Sequence, residues 1–338
     1  MLKSLDRREF LAGSAALAAG SALSVGAAMA AEELKLATFV PPPHIIMSKV
    51  LTPWAAEVAK ASNNALNVRM FPSMQLGGKP PELYRQMIRG ISDITFTLPG
   101  YTSGDFPVMA LTELPGMASS GADGTRKLWA NFDKFLAPQF KGAKVLMLWN
   151  SDSASFMSKS KPIRTLADVK GLKIRTPSAA QSAQLVALGA TPIDMPANQI
   201  YNALDRGVVD AAMIPMSAAL DFKLIEVAQH FTINAPLGRS NFLVAMNDAR
   251  YQKLPANLRK IIDDTTGLNL SLKGAQIYDE RSTAAEEAAR KTRNLIQLTP
   301  AENKEWLAGF RKHIGEAVAE GDKAGHPATA LAKAYGLI

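Results

Sequence analysis

Arg175 is the residue best placed to do chemistry in this chain. It lies in the run Gly171-Leu172-Lys173-Ile174-Arg175-Thr176-Pro177, where Leu172 and Ile174 alternate with Lys173 and Arg175 at the period of a short strand. Thr176 suits a helix N-cap and Pro177 the first helical position, so a helix is predicted over Ser178 to Leu188. Arg175 then stands where a strand gives way to a helix. Ligands of α/β sheets collect outside the carboxyl ends of strands, and helix N-terminal amides there already favour an anion. A guanidinium at that point is suited to hold a carboxylate through two parallel hydrogen bonds, although a surface ion pair is the alternative use of such a side chain.

Other chemistry is poorly provided for. The chain has no cysteine, which excludes thiol nucleophiles, disulfides and thiolate metal sites. Its four histidines, His44, His230, His313 and His326, have no close metal-binding spacing, and no Gly-x-Ser-x-Gly elbow occurs. An exported hydrolase or lyase therefore lacks an activated nucleophile, a metal or a tuned acid and base, and the expectation is a protein without enzymatic activity, cofactor or metal. The net charge of +8 is spread along the chain rather than blocked. That favours a small anion or a mildly acidic partner surface over nucleic acid, for which no basic run with interleaved aromatics appears.

Residues 1–30 read as an export signal. Asp6-Arg7-Arg8-Glu9-Phe10-Leu11 precedes an Ala/Gly-rich run, and Ala28-Met29-Ala30 supplies small residues for cleavage. The arginine pair followed by Phe-Leu has the twin-arginine pattern; an ordinary secretory signal is the alternative. The expected location is periplasmic, with the remaining chain soluble because no later stretch has the roughly 18 apolar residues of a spanning helix.

The elements that must hold Arg175 are written as a repeat. Leu83 to Asp93 matches Ile200 to Asp210 at the Tyr, Arg, Gly and Asp positions. Each copy reads as an amphipathic helix stopped by a C′ glycine, Gly90 or Gly207, followed by a strand over Ile91 to Thr97 or Val208 to Ile214. Both strands enter proline-containing loops, Leu98-Pro99-Gly100-Tyr101 and Pro215-Met216-Ser217. Further strands are predicted over Leu34 to Phe39, Ala65 to Phe71, Lys144 to Trp149, Ala190 to Met195 and Asn241 to Met246, with a helix over Trp54 to Ala61. This alternation predicts an α/β protein of two lobes, each a mainly parallel sheet flanked by helices. Leu254 to Arg293 is helical in pattern, broken near Gly267 or Gly274, and long enough to cross between lobes. A last helix is predicted from the cap-like Thr299-Pro300-Ala301-Glu302.

These residues resemble the periplasmic solute receptors of tripartite ATP-independent periplasmic (TRAP) transporters, the DctP-type family. The motifs are Phe71 to Gly77, Gly100 to Pro107, Lys161-Pro162-Ile163 with Gly171 to Pro177, Leu188 to Pro192, and Tyr201 to Asp210. The resemblance implies a two-lobed periplasmic binding protein whose lobes, joined by crossing strands and a long helix, close on an organic acid. It implies that Arg175 matches the family's carboxylate-binding arginine and that the ligand passes to a small and a large membrane permease subunit. It also implies lobe I over 31–150 with about 241–275, and lobe II over 151–240 with about 276–338. A receptor that presents its ligand to a membrane sensor is the alternative partner reading.

Departures from the family pattern bear on the ligand. Many members have Glu-Asn-Pro where this chain has Met213-Ile214-Pro215, and an aromatic residue where it has Ala197. A second arginine common after the Lys144 to Trp149 strand is replaced by the stretch Asn150 to Ser155. Losing polar partners for a second charged end suggests a monocarboxylate with an otherwise less polar body, aromatic or a 2-oxo or 2-hydroxy acid. Phe39, Tyr101, Ile214, Met216 and Phe242 sit at expected strand ends and are candidates for an apolar subsite, or are core. Ser151, Ser153 and Ser155 are candidate donors to the ligand, or a solvated loop. His44, after Pro41-Pro42-Pro43, is a candidate ligand contact or a helix cap.

Overall fold

The computed structural model describes residues 31–338; the export-signal reading falls on residues 1–30, outside the described residues. Among the described residues, eleven strands form two sheets. The first sheet contains β1 (Glu32–Thr38), β2 (Leu66–Phe71), β3 (Ile94–Thr97), β4 (Ala143–Asn150) and β10 (Asn241–Asn247). The second contains β5 (Ala154–Ser158), β6 (Lys173–Thr176), β7 (Thr191–Asp194), β8 (Ala211–Pro215), β9 (His230–Ile233) and β11 (Asn294–Gln297). Their orders are β2-β1-β3-β10-β4 and β11-β9-β5-β8-β6-β7. The fold is two-lobed α/β, as predicted. Both sheets are mixed, and every antiparallel pairing involves β10 or β5. These two strands follow the connections that cross between the sheets, residues 151–153 after β4 and 234–240 after β9.

The repeat builds the same corner in both sheets. Gly90 and Gly207 take φ values of 77° and 69°, the left-handed C′ conformation glycine adopts without a Cβ penalty. The following residues close the cap, with Ile91 N–H donating to Gln86 O and Val208 N–H to Ala203 O. Strands therefore start three residues later than the pattern predicts, at Ile94 and Ala211. The aspartate that ends each cap fixes the neighbouring strand. Asp93 brackets Lys35, donating its N–H to the Lys35 carbonyl and accepting the Lys35 N–H at 2.7 Å. Asp210 does the same to Lys173, with a carboxylate distance of 2.8 Å. Each aspartate thus sets the register of the strand beside its own, and in the second sheet that strand carries Arg175.

The helical stretch near the end breaks at Gly267 (φ 88°), giving helices Ala256–Thr265 and Leu268–Thr292. Gly274 continues the second helix because its missing side chain admits Trp149. A Cβ there would lie 3.3 Å from the buried indole. Thr299 caps Pro300–Lys323 with the expected box, its hydroxyl accepting the Glu302 N–H while Glu302 accepts the Thr299 N–H. Trp306 and Phe310 of this helix pack with Phe156 of the second sheet. Its end and the last helix, Ala328–Ala334, instead pack through Val318, Leu331 and Tyr335 on Phe106, Phe140 and Leu148 beside the first sheet. Among the described residues no helix is long and apolar enough to cross a membrane.

Candidate functional site

Arg175 is 1% exposed, near the carboxyl end of β6. Thr176 remains in the strand, paired with Asp194, and gives its hydroxyl to that carboxylate. Ser178 takes the N-cap predicted for Thr176: its hydroxyl accepts the Gln181 N–H, and the helix runs Ala179–Ala187. A threonine already bonded across the sheet cannot also cap, so the helix starts two residues later. The guanidinium donates from Nε to Met195 O at 2.8 Å and from Nη1 to Met213 O at 3.2 Å. The Tyr101 phenol lies beside it. No ion pair engages Arg175 among the described residues, and Asp194, the nearby acid, is taken by the hydroxyls of Thr176 and Ser182. Burial pushes the Arg175 pKa down to about 10, which still leaves a cation at neutral pH. A buried charge met only by two carbonyls and the neutral Tyr101 phenol costs several kcal/mol of lost hydration, on the order that one well-placed anion would offset.

That cation borders a small cavity of about 40 Å³ between the two sheets. Both sheets build it at equivalent edges. Phe39 and His44 follow β1, Phe96 and Tyr101 belong to β3 and the turn after it, and Phe242 opens β10, which arrives antiparallel and so presents its beginning at the same edge. From the second sheet come Arg175, Ile214 and Ser217, and the helix Leu268–Thr292 adds Tyr278. The walls are aromatic. Phe39 stacks on Phe96 at 5.8 Å, Phe96 on Phe242 at 5.9 Å, and Phe242 packs on Tyr278 at 4.8 Å.

The halves also touch each other across this cleft. Tyr101 OH accepts the Ala197 N–H at 3.0 Å, and Ser178 donates its hydroxyl to Glu113 at 2.6 Å. Gly100 approaches Ser178 so closely that an added Cβ would lie 2.8 Å from the serine Cβ. The connections between the sheets are tied as well: Ser151 N–H donates to Ser240 O at 2.9 Å, and Arg239 donates from Nη1 to Ser151 O at 2.9 Å.

Six predicted residues line the one cavity: Arg175, Phe39, His44, Tyr101, Ile214 and Phe242. Met216 does not, because its side chain turns into the core at 1% exposure. Ser155 is buried inside β5 opposite Ile214, and Ser153 borders a different, polar cleft beside Arg239. Ser151 serves the inter-sheet connections instead of the cavity. His44 is both buried and in the cavity wall. Its Nδ1 accepts the Ile46 N–H at 3.2 Å, which leaves the ring proton on Nε2. Burial lowers its pKa to about 4, so the ring is neutral. Sequence reasoning missed Phe96, Ser217 and Tyr278. Tyr278 was detectable in principle, since it stands one helical turn after Gly274, the position where the helix meets Trp149.

The sequence model of the family described as bacterial extracellular solute-binding protein, family 7 (DctP), matches residues 36–320. A solute-binding protein of Albidiferax ferrireducens is 30% identical over 216 residues; the match spans 62% of each chain, less than two thirds of that relative's length. A TRAP solute-binding protein of Rhodoferax ferrireducens solved with copurified benzoate superposes with a TM-score of 0.85 at 32% identity, covering 90% of this chain and 96% of that one. A marine metagenome TRAP solute-binding protein specific for aromatic acids, solved with 3-hydroxybenzoate, gives a TM-score of 0.87 at 31% identity, with 90% and 97% covered.

Proposed function

The chain belongs to the bacterial extracellular solute-binding proteins of family 7, the solute receptors of TRAP transporters, and from that premise we propose that it captures an aromatic monocarboxylate. The observation that carries this reading is the buried, unpaired guanidinium of Arg175 facing a cavity walled by phenylalanines. Two parallel hydrogen bonds from Arg175 hold the carboxylate, and the ring of the acid stacks among Phe39, Phe96 and Phe242. The body of such a ligand needs no second charged partner, in keeping with Ile214 at the edge of the cavity. The benzoate and 3-hydroxybenzoate held by the two solved relatives support the same class.

Capture proceeds by closure of the lobes about the two connections that meet at Ser151 and Ser240. The ligand favours the closed state because only there does it meet Arg175 and the first-sheet aromatics together. The receptor is exported to the periplasm, residues 1–30 serving as its twin-arginine signal, and the closed form delivers its acid to the membrane subunits of the transporter. Isothermal titration of the protein with benzoate, phenylacetate, mandelate, pyruvate and succinate tests the class. Binding of the aromatic acids at about micromolar Kd or tighter, well ahead of succinate, is expected. Preference for succinate or pyruvate would overturn the aromatic assignment.

A further inference from the structure

Arg175 accounts for one polar group of a bound acid, yet the cavity wall carries another polar atom with nothing to bond. The hydroxyls that border the cavity have their partners with one exception among the described residues. Ser217 Oγ donates to Asp152 at 2.6 Å, Ser240 Oγ accepts from Gln181 at 3.0 Å, and Tyr101 OH accepts from Ala197. Tyr278 OH is buried and has no hydrogen-bond partner, while its residue is only 3% exposed and forms part of the cavity wall. An orphaned buried hydroxyl costs about 1–3 kcal/mol, and the cost is removed when a guest supplies the missing partner.

His44 stands beside it, ring centroids 6.3 Å apart. Its Nε2 lies 3.7 Å from an Asp221 carboxylate oxygen, beyond a hydrogen bond. Asp221 is already engaged by Arg281 and by the Ile45 N–H. The neutral imidazole therefore also has a donor to offer. Desolvation keeps the Tyr278 phenol well above its ordinary pKa, so it too remains a donor at physiological pH.

We propose that Tyr278, assisted by His44, is a specificity-determining contact that reads a ring hydroxyl, making hydroxylated aromatic acids the preferred ligands over unsubstituted ones. This rests on the aromatic-acid reading above and adds a second point of recognition to it. A phenolic hydroxyl both donates and accepts, so it satisfies Tyr278 while its oxygen accepts a hydrogen bond from the imidazole Nε2–H. An unsubstituted ring leaves the Tyr278 hydroxyl as it stands, without a partner.

Titration of the full mature protein with benzoate, 3-hydroxybenzoate and 4-hydroxybenzoate tests this before any mutation is made. At least one hydroxy isomer is expected to bind about tenfold more tightly than benzoate, the worth of one good buried hydrogen bond. In Tyr278→Phe the ratio of hydroxybenzoate to benzoate affinity should fall to about one, because the ring remains and only the unpartnered hydroxyl is lost. Equal binding of all three acids to the native protein, or a hydroxyl preference that survives Tyr278→Phe, would overturn the proposal and leave the aromatic-acid reading standing. Failure of all three acids to bind would overturn that reading and this contact with it.

Discussion

The Ser178 hydroxyl and the Glu113 carboxylate meet at 2.6 Å across the cleft, joining the helix that follows Arg175 to the half of the molecule built on the first sheet. Glu113 also receives the Gln181 amide at 3.4 Å, and its backbone carbonyl accepts from Gln184 at 2.8 Å. The ligand is thus not the sole agent holding the halves together. Desolvation raises the Glu113 pKa from 4.5 to about 7.

A raised carboxyl pKa means that the closed form binds a proton more readily than a form in which Glu113 meets water. Its contribution to closure is complete below about pH 4.5 and is lost as pH rises through about 7. Asp152, raised to about 6 by burial, contributes to fold stability with the same sign, present at low pH and lost as pH rises through about 6. His44 acts oppositely, stabilising the fold above about pH 6.5 and losing that contribution as pH falls toward 4. Affinity should therefore fall at least about threefold between roughly pH 6 and 8, and Glu113→Gln should flatten much of that slope while retaining binding at the higher pH. Titration calorimetry across that range checks it; an unchanged slope in the variant would dissociate Glu113 from closure.

Asp221 is 2% exposed at its side chain and pairs with Arg281 of the long helix while accepting the Ile45 N–H. Asp221→Ala strands the arginine and loosens the His44 loop. The expected loss is about 3 kcal/mol of folding stability, measurable by urea denaturation. A loss under about 0.5 kcal/mol would mean that the pair is decorative.

Gly238 lies in the connection leading into β10, where an added Cβ would collide with the Glu113 backbone carbonyl. Its N–H donates to Gln184 at 3.0 Å. Gly238→Ala should cost about 2–3 kcal/mol, because neither backbone can give way without breaking these bonds. Thermal melting resolves such a change readily, and a melting point equal to the native one would contradict the packing described.

Ile214 occupies the position where many family members have asparagine. Ile214→Asn places an amide beside an aromatic guest, so benzoate affinity should fall about tenfold or more while affinity for a 2-hydroxy acid or a dicarboxylate rises. Competition titrations against mandelate and succinate report the switch; an unaltered rank order would remove Ile214 from the specificity wall.

The sequence disclosed those parts of the site that follow local rules. Alternation and glycine caps located β6, β8 and the repeat corners, and thereby placed Arg175, Tyr101 and Ile214 at one cleft. The errors come from partners distant along the chain. Thr176 looks like a helix cap until Asp194 is seen across the sheet, and the strands after Gly90 and Gly207 look longer until Asp93 and Asp210 are seen to bond Lys35 and Lys173. Residue type alone matches Ser151 and Ser153 to the ligand, whereas the connection between sheets decides their surroundings. Tyr278 reaches the cavity from a helix nearly 180 residues beyond Tyr101, a juxtaposition made only by the crossing of that helix over β4.

The most direct measurement compares benzoate with benzamide, its uncharged isostere, by calorimetric titration of the native protein and Arg175→Ala. A buried cation that grips a carboxylate predicts benzoate favoured over benzamide by about 100-fold in the native protein, with that preference erased and benzoate binding nearly lost in the variant. Retention of native benzoate affinity by Arg175→Ala would contradict the account at its root.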